Sequence, residues 1–103
     1  MATTTKAHDP ITPGEILLTE FLEPLGISQY RLAQATGLPQ TRISQIVRGK
    51  RAITTDTALR LSKALGTSPE FWYGMQVNYD LWQAKRKFRG KVRPIVQRDG
   101  VTV

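Results

Sequence analysis

Glycines and capping residues cut residues 12 to 87 into pieces that suit only short helices, and this punctuation constrains the fold more than any other feature of the chain. Thr12, followed by Pro13 and Glu15, has the form of a capping box with proline at the first helical position. Leu18, Phe21, Leu22 and Leu25 then recur at i, i+3, i+4 and i+7, and Pro24 with Gly26 ends that segment. Ser28 caps a second segment whose Leu32 and Ala33 turn inward, and Gly37 supplies the left-handed residue through which the chain leaves it. A third runs from Pro39 or Gln40 to Arg48 and stops at Gly49. Thr54 caps a fourth, with Asp56 favourably placed against the helix dipole, Ala58, Leu61 and Leu65 on the inner face, and Gly66 as the stop. Ser68, Pro69 and Glu70 open a fifth, whose period is lost after Lys87. The expected fold class is all-α, five helices around one core, and a chain of 103 residues has room for one such domain.

The fifth segment is apolar on two faces. Phe71, Trp72, Met75, Tyr79 and Trp82 form one stripe, and Tyr73, Val77 and Leu81 form a second that is rotated away from it. A helix with two apolar faces needs two packing partners, and a domain this small offers one core. The second stripe either lines a homodimer interface or completes the core of a small monomer. Residues 1 to 11 are small, polar and aperiodic and read as a flexible arm; residues 12 to 86 form the domain, and residues 87 to 103 a basic tail. Val92, Ile95, Val96, Val101 and Val103 are β-formers, and Asp99-Gly100 is a hairpin dipeptide, so the tail is either a short terminal hairpin with Pro94 on its edge or a disordered basic segment.

The second and third segments, SQYRLAQATGLPQTRISQIVRGKR from Ser28 to Arg51, look like a helix-turn-helix, in which the second helix is presented to the DNA major groove. Ile43, Ile46 and Val47 share one side of that helix, whereas Thr41, Gln45 and Arg48 share the other. By position Gln40, Thr41 and Gln45 are placed to touch base edges, with Gln able to pair bidentately with adenine, and Arg42 to read guanine or hold a phosphate. Ser28, Gln29, Ser44, Arg48, Lys50 and Arg51 are the expected phosphate contacts. Tyr30 meets the backbone or lies on the surface. The formal net charge of +7 favours a polyanionic partner, and its distribution is more telling than its total. Between Glu23 and Asp56 stand Arg31, Arg42, Arg48, Lys50 and Arg51 without one carboxylate. A second cluster, Lys85, Arg86, Lys87, Arg89, Lys91, Arg93 and Arg98, is a solvated face or serves another partner.

Taken together, PGEIL in the first helix, GLPQTRISQIVRGKR, the block ITTDTALRLSKALGTSPEFW and NYDLW in the fifth helix resemble the HigA-type antitoxins, a branch of the phage-repressor-like helix-turn-helix regulators. The resemblance covers roughly residues 10 to 86 and departs from the family pattern at Pro39, where many relatives carry a Ser or Thr cap, and in the long basic tail. It implies a dimer that binds a palindromic operator in its own promoter and neutralises a cognate toxin, often a ribonuclease acting on mRNA. The same helix-turn-helix would also serve a stand-alone transcriptional repressor without a toxin partner. A third class, an RNA or protein interaction module, is disfavoured because all aromatics but Phe21, Tyr30 and Phe88 lie in the fifth helix on core-like spacing, not beside the basic patch.

Enzyme chemistry has little to stand on. There is no cysteine, and the single histidine, His8, lies in the polar arm, so no metal site and no cofactor are expected. Gly49-Lys50 has the end of a phosphate-binding loop, but Ser44 stands where that loop requires its first glycine. No apolar run is long enough for a membrane span or signal peptide, and a reducing cytoplasm fits the absence of cysteine. Four carboxylates, Asp9, Glu15, Glu20 and Glu23, gather in the arm and first helix, the end best suited to a basic toxin.

Overall fold

A computed structural model of the chain describes residues 10–96, and these form five helices with no strand among them. The first, α1, runs through Pro13–Ile16, a π-helical stretch Leu17–Leu22 and a last turn Glu23–Leu25. It is followed by α2, Gln29–Thr36; α3, Gln40–Val47; α4, Thr55–Leu65; and α5, Pro69–Lys87. The expected caps are in place: the hydroxyls of Thr12, Ser28, Thr54 and Ser68 accept from the amides of Glu15, Arg31, Thr57 and Phe71 at 3.0–3.2 Å. The arm through Asp9, and the hairpin dipeptide Asp99-Gly100 with Val101 and Val103, lie outside the described residues.

Two expectations for α1 are corrected. Pro24 does not end the helix, which continues to Leu25 before Gly26 turns left-handed at φ 65°. The π stretch makes this tolerable. In it the Glu23 amide donates to the Leu18 carbonyl, five residues back, immediately ahead of a residue that cannot donate at all. The wider turn also shifts the apolar phase. Leu25, expected to face inward, is 60% exposed, whereas Leu17, absent from the expected stripe, is fully buried.

The core is built from Leu17 and Leu22 of α1, Leu32 of α2, Ile43 and Ile46 of α3, Ile53 before α4, Ala58 and Leu61 of α4, and Trp72 of α5. Phe21 joins the outer layer, its ring 5.1 Å from Trp72 and 5.9 Å from Phe71, so three aromatics stitch α1 to α5. Trp72 is the one member of the first α5 stripe that is fully buried, and its indole N–H donates to Thr67 Oγ1 at 2.6 Å. Met75 is half-buried against the core, and Phe71 stays largely exposed despite its aromatic contacts. Tyr79 and Trp82 are half-buried further along α5 and pack on each other at 5.9 Å, outside the main cluster. The second stripe is exposed on this chain, Tyr73 at 42%, Val77 at 38% and Leu81 at 52%.

Candidate nucleic-acid interface

The turn between α2 and α3 is held from three sides. Thr36 Oγ1 donates to the Leu32 carbonyl at 2.7 Å and accepts from the Leu38 amide at 3.3 Å, and Leu38 is buried as the anchor of the turn. Gly37 takes φ 76°, a conformation that a side chain would strain. Arg60 reaches over from α4: its Nη1 donates to the Thr36 carbonyl at 2.7 Å while its Nε pairs with Asp56 at 2.8 Å. A cation is thereby placed on the carboxyl end of α2, where it satisfies a carbonyl and suits the helix dipole. Sequence reasoning saw Asp56 as a first-turn acid and did not find Arg60, because its target lies 24 residues away.

These braces set how α3 leaves the surface. Pro39 is its N-cap, with extended backbone (φ −61°, ψ 146°) and no side-chain acceptor to offer, so Gln40 is the first helical residue. Ile43, Ile46 and Val47 are buried, Gln40, Thr41 and Arg48 are exposed, and Arg42, Ser44 and Gln45 are half-buried along the flanks. The Arg48 Nε turns back to the Ser44 carbonyl at 3.3 Å. Lys50 and Arg51 follow on the exposed loop, which is pinned by the Lys50 amide on the Gln45 carbonyl at 2.8 Å. Arg51 Nε donates to Gln45 Oε1 at 3.0 Å, so one expected phosphate residue holds the side-chain amide of one expected base reader. Ser28 and Gln29 stand at the start of α2, the Ser28 hydroxyl serving as cap, and the exposed Tyr30 hydroxyl accepts from Gln34 at 2.8 Å.

Two further residues position α3, and neither was named as a site residue from sequence. Gly14 of α1 lies against the backbone at the end of α3: a Cβ there would sit 1.7 Å from the Ile46 carbonyl oxygen. Gln76 of α5, 6% exposed, accepts from the Ile53 amide at 2.8 Å and donates to Asp80 at 2.9 Å, which ties α5 to the loop after α3. The one sequence signal that could have found Gln76 is its place one turn after Trp72, a polar residue next to the aromatic stripe of the fifth helix.

This arrangement of α2, turn and α3 coincides with a family model described as Helix-turn-helix, which matches residues 18–72, more than half of the chain. The chain is 37% identical over 84 residues to antitoxin HigA-1 of Vibrio cholerae, covering 82% of this chain and 79% of that one. The chain belongs to the helix-turn-helix family, among the HigA antitoxins. Solved HigA structures agree with the fold. An addiction module antidote protein of the HigA family from Coxiella burnetii superposes with a TM-score of 0.72 at 46% identity, over 77% of this chain and 86% of that one. Pseudomonas aeruginosa antitoxin HigA, solved with higBA promoter DNA, superposes at 0.77 with 35% identity, over 84% of this chain and 99% of that one. Among the described residues no helix is long and apolar enough to cross a membrane.

Proposed function

We propose that this HigA-type chain is a sequence-specific DNA-binding antitoxin. As a homodimer it represses its own operon by placing two α3 helices in the major groove of a palindromic operator, and it neutralises a cognate toxin, an mRNA-cleaving ribonuclease. The observation that carries the reading is the outer face of α3: Gln40 and Thr41 exposed and Gln45 half-buried beside them, bordered by Arg48, Lys50 and Arg51, in a stretch without a carboxylate from Pro24 to Thr55. Gln40, Thr41, Gln45 and Arg42 meet base edges; Ser28, Gln29, Ser44, Arg48, Lys50 and Arg51 hold phosphates. The domain of residues 12–86 does this work in the cytoplasm, without metal or cofactor, and no side chain has a catalytic role.

The test separates the two groups of residues. Gln40→Ala or Gln45→Ala is expected to cost about 1–3 kcal/mol on the operator and little on random DNA, whereas Lys50→Gln weakens both about equally. Fluorescence anisotropy on paired duplexes reads this, and equal losses on both DNAs from the Gln changes overturn the assignment.

The toxin docks on α1, at a groove whose lining also includes Ser28 and Gln29 at the start of α2. Glu20 and Glu23 are exposed there beside the exposed Leu25, and a groove of about 410 Å³ between α1 and α2 is lined by Leu18, Leu22, Glu23 and Ile27. An apolar floor with an acidic rim suits a basic ribonuclease. Glu20→Lys combined with Glu23→Lys is expected to abolish both co-purification with the neighbouring gene product and rescue of growth, with operator binding retained. Undiminished rescue moves the toxin surface elsewhere, and a neighbour that never binds the native chain makes it a stand-alone repressor.

A further inference from the structure

The second basic cluster has so far no role. Between Asp80 and Asp99 the chain carries seven cations and no carboxylate. Lys85, Arg86 and Lys87 occupy the last turn of α5, where cations complement the helix dipole. That accounts for three of them and leaves Arg89, Lys91, Arg93 and Arg98, which follow the helix in sequence, without a purpose.

Their position supplies one. Gln76, Tyr79, Gln83 and Lys87 follow at i, i+3, i+7 and i+11, so they lie along one face of α5, the face that Gln76 anchors to the Ile53 amide. Tyr79 and Gln83 line a small groove with Gly49, Lys50 and Arg51, the loop that leaves α3. Asp80 lines it too, with its carboxylate engaged by Gln76 at 2.9 Å. Gln83 also borders a basin of about 480 Å³ whose other walls are Trp82, Arg86, Lys87 and Arg89. One residue thus joins the DNA-facing loop to the basic end of α5, and the eleven helical steps from Gln76 to Lys87 carry that surface about 16 Å along the helix.

The basin is also ordered by its own contacts. The Arg86 guanidinium lies 4.8 Å from the Trp82 ring centroid, and Arg89 Nη1 donates to the carbonyls of Arg86 at 3.2 Å and Phe88 at 3.0 Å. The guanidinium groups of Arg86 and Arg89 are therefore held in place, which lowers the entropy lost on using them.

We propose that Arg86, Lys87 and Arg89 form a second phosphate-binding surface, which grips the double-stranded DNA backbone flanking the bases read by α3. This rests on the DNA-binding reading above and extends it. Duplex DNA is favoured over single-stranded RNA because stacking on RNA bases needs open aromatic faces, and the Trp82 ring that lines the basin carries Arg86 at 4.8 Å and packs on Tyr79 at 5.9 Å.

The experiment uses the full chain and the double variant Lys87→Gln, Arg89→Gln, with a core site selected from random duplex DNA. Each protein is titrated on that core alone, about two helical turns long, and on the same core lengthened by about one turn of arbitrary sequence at either end. On the core alone the two proteins are expected to bind alike, which also reports an intact fold. The lengthened duplex is expected to tighten native binding about tenfold and that of the variant not at all. On that duplex the dependence of log K on log salt is expected to be shallower for the variant, by roughly 0.9 for each phosphate it leaves unneutralised. An equal gain from the flanks in both proteins overturns the proposal, as does a variant that keeps the gain but loses binding to a single-stranded RNA oligonucleotide. A native chain with no preference for any core overturns the base-reading assignment instead, and the gain from added duplex length still decides this surface.

Discussion

Gly14→Ala is expected to destabilise the domain by roughly 3 kcal/mol or more, the upper end of what overpacking costs, although alanine is the better helix former. On helix propensity alone, replacing a glycine inside α1 should stabilise by about 0.5–1 kcal/mol. The contact reverses the sign. The added carbon would lie 1.7 Å from the Ile46 carbonyl oxygen, 2.6 Å from its carbonyl carbon and 3.2 Å from the Val47 Cα. All three are backbone atoms, so no rotamer change relieves the clash, and α1 must move away from α3 by more than an ångström. The same Ile46 oxygen accepts the Gly49 amide at 3.0 Å, in the turn that leads to Lys50 and Arg51. Displacing it should disturb the DNA-facing loop together with the core. Urea denaturation of Gly14→Ala measures the first effect and operator affinity the second. A variant as stable as the native chain would mean that α1 does not approach α3 this closely in solution.

Val77→Glu is expected to convert a dimer to a monomer and to reduce operator affinity by two or more orders of magnitude, because each half-site must then be bound without the help of the other. Tyr73, Val77 and Leu81 recur at i, i+4 and i+8 on α5, and all three are exposed on the isolated chain. The surface around them is wider than the sequence stripe. Leu59 of α4 is 48% exposed, and it shares a groove of about 410 Å³ with Ala58, Pro69, Tyr73 and Gly74. A single helix face crossing its two-fold mate would leave that groove unfilled; a partner side chain seated in it would bury α4 and α5 together. Leu59→Glu should therefore weaken the dimer as well. Light scattering gives the mass, and thermal melting separates the two roles of the stripe. An unchanged dimer mass moves the interface elsewhere, whereas a global loss of helicity shows that the stripe belongs to the core.

What the sequence alone determined is local. Helix starts at Thr12, Ser28, Thr54 and Ser68 were legible because a cap is a bond between residues three apart, and the stops at Gly26, Gly37 and Gly66 because a left-handed residue ends a helix wherever it stands. The apolar side of α3 was legible for the same reason, since Ile43, Ile46 and Val47 are neighbours through helical periodicity alone. Periodicity failed where the helix did not keep its pitch, in the π stretch of α1, with Leu17 buried and Leu25 turned outward, and at Phe71, which stays exposed at the edge of its stripe. Tertiary structure decided the contacts that no spacing rule encodes. Arg60 on the Thr36 carbonyl, Gln76 on the Ile53 amide and the close approach of Gly14 to Ile46 join residues more than twenty positions apart. The Gln45–Arg51 bond depends on how the loop after α3 folds back. Each of these is set by how the helices pack, and packing depends on the shapes of all the buried surfaces at once, whereas a cap or a stripe depends on one short stretch of chain.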